Sequence, residues 1–105
     1  MGAIILCEFP LSELADAIAA RSWVLERVAL LAMKGEAELK FVGTVRSARG
    51  RPACETIAIR VADVAGAEAI VTRWRSKARF FDDTTLRVLR IAPVPHADLP
   101  VPLIP

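Results

Sequence analysis

Residues 53–62 read A-C-E-T-I-A-I-R-V-A, and the rest of the chain can be placed around them. Ile57, Ile59 and Val61 recur at every second position, the spacing that puts three side chains on one face of a pleated strand. Before it, residues 37–47 alternate in the same period. Leu39, Phe41, Gly43 and Val45 are assigned to one face, and Glu38, Lys40, Val42, Thr44 and Arg46 to the other. A half-exposed antiparallel strand at a sheet edge fits that pattern. Arg49-Gly50-Arg51-Pro52 supplies a turn, so the two strands form a hairpin.

Working outward, residues 3–9 (A-I-I-L-C-E-F) form a short apolar run that Pro10 ends, read as a strand buried on most of both sides. Ser12 is placed to cap a helix over about 12–34, with Leu14, Ile18, Leu25, Val28 and Ala32 as its inward stripe and Gly35 as its stop. Such a helix is roughly 34 Å long, so a break near Arg21-Ser22-Trp23 is the alternative. Downstream of the central strand, Asp63 caps a second helix over about 64–78, with Ala67, Val71, Trp74 and Ala78 facing inward. Phe80-Phe81-Asp82-Asp83 is a loop, and residues 84–91 are the last strand.

The order strand, helix, strand, strand, helix, strand predicts an α+β fold of ferredoxin-like βαββαβ type. Its four-stranded antiparallel sheet carries two helices on one face. Residues 1–92 make one domain. From residue 93 the chain reads P-V-P-H-A-D-L-P-V-P-L-I-P, which predicts an extended proline-rich tail over 93–105. Val94, Leu99, Val101, Leu103 and Ile104 make that tail apolar, which assigns it to a partner surface.

Hydrophobic residues make up 54% of the 105, yet charged positions interrupt every apolar run before it reaches membrane-spanning length. A protein partner, not a bilayer, is the expected outlet for the apolar surface. The start, M-G-A-I-I-L-C, is expected to enter a strand at once and reads as neither a signal peptide nor a long arginine-rich transit peptide, and Leu6 stands where a myristoylation motif needs Ser or Thr. Cys7 and Cys54 both fall in strands and are expected as buried free thiols.

Net charge is +2, unevenly spread. Residues 1–45 hold four basic and six acidic side chains, residues 46–105 ten and six. Arginine outnumbers lysine eleven to three, and its planar fork suits phosphate. The candidate RNA-binding set is Arg46, Arg49 and Arg51 on the hairpin, Arg73, Arg75 and Arg79 at the end of the second helix, and Arg87 and Arg90 on the last strand. The helix-end group, with Lys77, also complements the helix dipole, a purely structural reason for its presence. Phe9 is the one aromatic side chain on the two central strands, too few for base stacking on the open face.

No enzyme is predicted. His96 has only Asp98 near it and no nucleophile, and catalysis needs base, nucleophile and orienting group together. Asp82-Asp83 alone does not build a cation site, one histidine and two cysteines do not build a zinc site, and the five glycines form no phosphate loop. No cofactor is expected.

In layout the chain resembles the bacterial-type small-subunit ribosomal protein number six family. A strand begins almost at Met1, Gly35 precedes a strand containing Val42-Gly43-Thr44-Val45-Arg46, and R-F-F-D-D-T-T-L-R-V-L-R-I resembles that family's basic helix end, short turn and arginine-bearing last strand. The resemblance spans residues 3–92. It departs at Ser47-Ala48-Arg49-Gly50-Arg51-Pro52, where the family carries an apolar run with tyrosine. It implies a structural role in the small ribosomal subunit, with ribosomal RNA and ribosomal protein number eighteen as partners and Arg46, Arg87 and Arg90 as RNA contacts. The apolar tail would suit a mitochondrial ribosome, with the bacterial cytoplasm as the alternative setting. Two other readings stay open: an oligomeric or regulatory module of the ACT or PII type that binds a small ligand, and a small dimeric α+β-barrel enzyme.

Overall fold

The computed structural model describes residues 2–46, 53–78, 81 and 85–91. In order they form β1 (Ala3–Pro10), a 3-10 turn (Leu11–Glu13), α1 (Leu14–Met33), β2 (Ala37–Val45), β3 (Cys54–Val61), α2 (Val64–Lys77) and β4 (Leu86–Arg90). The strands make one antiparallel sheet in the order β2-β3-β1-β4, so the fold is α+β. The stretch at 53–62 is central as expected, with β2 on one side and β1 on the other.

The core lies between the sheet and the helices. Ala3, Ile5, Cys7 and Phe9 of β1 and Ile57, Ile59 and Val61 of β3 point to this side and are buried. Their direct pairings Ile5↔Ile59 and Cys7↔Ile57 stack them in rows across the two strands. Each such isoleucine contributes on the order of 1.5–3 kcal/mol by leaving water. The Trp23 ring of α1 meets the Trp74 ring of α2 edge to face at 5.8 Å, so both helices lie side by side over this same face. Phe81 sits against Phe9, Trp23 and Trp74 and completes an aromatic cluster under the helix pair.

α2 follows the sequence pattern closely. Asp63 is its N-cap, with the side chain accepting from the Gly66 N–H at 2.6 Å, and Ala67, Ile70, Val71 and Trp74 are buried. α1 does not. It is continuous, without the break near residue 22, but its buried stripe is Ala17, Ala20, Val24 and Val28. Leu14 and Ile18, expected inside, are more than half exposed. Small alanines let the helix approach the sheet closely, and that contact outweighs the size of the leucine and isoleucine one turn away. Ser12 does not cap. Glu13 stands at the N-cap without a side-chain hydrogen bond. Gly35 ends the helix with φ 72°, its N–H donating to the Ala32 carbonyl while Glu36 N–H donates to Leu31.

A bulge also corrects the expected alternation of β2. Register against β3 shifts between Leu39 and Phe41, so Lys40 is the extra residue. Leu39 pairs with Ile59, Val42 with Ile57 and Thr44 with Glu55, all on the helix side, whereas Phe41, Gly43 and Val45 pair with Ala58, Thr56 and Cys54 on the opposite side. Leu39 and Phe41 therefore lie on different faces. The far end of β2 is held by Glu55, whose Oε1 accepts from the Thr44 hydroxyl at 2.9 Å and whose Oε2 lies 3.4 Å from Arg21 of α1.

Candidate functional site

The described members of the predicted basic set, Arg46, Arg73, Arg75, Arg87 and Arg90, stand apart from one another on the sheet and on α2. Arg87 forms an ion pair with Glu8 on the sheet face away from the helices. Arg75 donates to the Leu86 carbonyl at 2.9 Å, tying α2 to β4. Arg46 follows the end of β2, beside the Pro10 end of β1, while Arg90 pairs with Ala3 at the other end on the opposite edge strand. They occupy diagonal corners of the sheet. Arg49, Arg51 and Arg79 lie outside the described residues, as do His96, Asp82-Asp83 and the tail positions Val94, Leu99, Val101, Leu103 and Ile104.

Arg73 is the member that finds company. A cleft of about 150 Å³ opens between the two helices, lined by Trp23, Arg27, Leu30 and Leu31 of α1, by its C-cap Lys34, and by Ile70, Arg73, Trp74 and Lys77 of α2. Arg27 lies over the Trp23 ring, 4.2 Å from its centroid, and donates to Glu26 at 2.9 Å. Sequence reasoning passed over Trp23, Arg27 and Lys34. Their spacing of four and seven residues, which puts them along one side of α1, is the signal that was available.

The sheet face away from the helices carries a second feature. Ile4, Leu6 and Ala58 are half-buried there, flanked by Phe41, Val45 and Leu89, all exposed. Phe9, the aromatic side chain assigned to the central strands, points the other way into the core, and Phe41 on β2 is the aromatic this face presents among the described residues. Its ring lies over Gly43, where an added Cβ would come within 2.9 Å of its Cζ. Beyond β2, among the described residues, no further strand pairs with its outer edge.

The two cysteines are free. Burial pushes the Cys7 thiol up to about 12, which keeps it protonated and unreactive. Cys54 is raised as well, by partial burial and then by the charge of Glu8. Among the described residues no group of His, Cys, Asp and Glu is arranged to hold a metal ion, and no helix is long and apolar enough to cross a membrane. The chain matches no family model, no curated protein and no solved structure.

Proposed function

We propose that the chain is a non-catalytic ferredoxin-like module that works as a self-associating assembly, joined through the outer edge of β2. The antiparallel order β2-β3-β1-β4, with the first and third strands central and both helices on one side, supports the ferredoxin-like reading.

The observation that carries self-association is the segment from Phe41 to Val45. The bulge at Lys40 and the exposed Glu38–Lys40 ion pair protect the first half of β2, in the way sheet edges are usually blunted. The second half has no such protection and exposes Phe41, Val42 and Val45. It is also self-complementary. An antiparallel pairing about a two-fold axis at Gly43 sets Phe41 opposite Val45 of a second copy and Val42 opposite Thr44, each pair on one face. Glycine at the axis leaves room for the two Phe41 rings.

Sedimentation equilibrium tests this. The wild-type chain is expected as a dimer whose population follows concentration. Phe41→Lys, a change at an exposed position, is expected to be a folded monomer. A wild-type chain that stays monomeric at every concentration contradicts the proposal.

The ribosomal reading draws less support. It needs Arg46, Arg87 and Arg90 to meet one RNA surface, and Arg87 is engaged by Glu8 while the other two stand at opposite corners. Tight ribosomal RNA binding that weakens steeply with salt would restore it.

A further inference from the structure

We propose that the cleft between α1 and α2 binds a small apolar monocarboxylate, one ring carrying one acid group. This site lies within a single copy and does not depend on the β2 assembly.

Its floor is apolar. Leu31 and Ile70 line it, and Trp23 and Trp74 wall it, the latter almost fully buried. Its rim is cationic. Arg27 and Lys34 stand on the α1 side, Arg73 and Lys77 on the α2 side, and among the described residues no acidic side chain lines the cleft. Lys34, Arg73 and Lys77 form no ion pair with a described residue. Three cations at helix ends have a structural reason through the helix dipole. That reason does not cover Arg27, which lies mid-helix with its guanidinium over the Trp23 ring. Glu26 offsets the charge of Arg27, and the three remaining cations around an apolar hollow raise the local concentration of anions and lower that of cations.

Size narrows the class. A cleft of about 150 Å³ has room for one benzene-sized ring. A nucleotide or a lipid chain needs several times that volume. The ring would displace water from Leu31 and Ile70, while its carboxylate would meet the guanidinium of Arg73 or an ammonium at the rim, contacts that pay back only for a charged ligand.

The chain supplies its own reporter, because its two tryptophans both line the cleft. Titrating 3-phenylpropionate into the full chain at low salt is expected to change tryptophan emission saturably, with a Kd on the order of 0.1–1 mM. The neutral isostere 3-phenylpropanamide is expected to bind at least about tenfold more weakly, and propionate, which lacks the ring, to leave the emission unchanged. The double variant Arg73→Gln with Lys77→Gln, both at exposed positions, is expected to weaken the acid by at least about tenfold while its urea midpoint stays put. Shifts of the two indole N–H resonances place the effect in the cleft. No saturable change, an amide that binds as tightly as the acid, or a variant with wild-type affinity would each overturn the proposal.

Discussion

β1 and β2 are strands of eight and nine residues, six and five of them apolar, and they meet water very differently. In β1 the inward side chains Ala3, Ile5, Cys7 and Phe9 are at most 3% exposed. In β2 the four large apolar side chains Leu39, Phe41, Val42 and Val45 are 39–46% exposed. Position separates the strands more than composition does. β1 has a strand on either side and helices above it, while β2 is paired on one side only and α1 packs over its flank incompletely. The same chemistry that makes β1 the core leaves β2 with an exposed apolar surface.

The largest expected difference lies in truncation. Ile59→Ala, on the strand between the two, should cost about 2–5 kcal/mol in urea unfolding, because it leaves a cavity among fully buried neighbours. Leu39→Ala, its direct neighbour on β2, should cost under about 1 kcal/mol in the monomer. Similar costs at the two positions would break the contrast.

A pH titration sharpens it next. The folded chain holds the Cys7 thiol protonated up to about 12, whereas the unfolded chain ionises it near 9.0. Between these values the unfolded state binds fewer protons. Stability therefore falls as pH rises, by up to about 1.4 kcal/mol per pH unit from this group, and levels off above about 12. Urea midpoints compared with Cys7→Ala isolate the effect: the variant starts less stable but should lack this share of the alkaline slope. An equal slope in both would mean that the thiol beneath α1 and α2 reaches water.

A smaller effect is expected where β2 is tied on. Glu55→Ala removes the acceptor for the Thr44 hydroxyl and the partner of Arg21, and should cost about 1–2 kcal/mol by the same urea assay. The loss of amide protection should concentrate at the Thr44 end of β2.

Element order, the central position of 53–62 and the capped second helix were all legible, because Ile57, Ile59 and Val61 repeat at period two and Asp63 precedes a clean helical stripe. Two features were not. α1 carries large apolar residues around much of its circumference, so periodicity favoured Leu14 and Ile18, while the sheet accepted the smaller Ala17 and Ala20. The bulge at Lys40 is a backbone insertion that leaves no mark in the polar and apolar pattern, yet it reverses the face of every residue after it. The candidate site suffered for a related reason. A charge count along the chain singled out arginines, but only the meeting of two helices shows that Arg73 and Lys77 share a cleft with Arg27 and Lys34.

Amide hydrogen exchange at low and high protein concentration tests the central claim most directly, because it reads β1 and β2 in one sample. The account predicts that protection of the amides from Phe41 to Val45 rises with concentration, while that of Ile5 and Cys7 stays constant. Protection in β2 that is independent of concentration would contradict it.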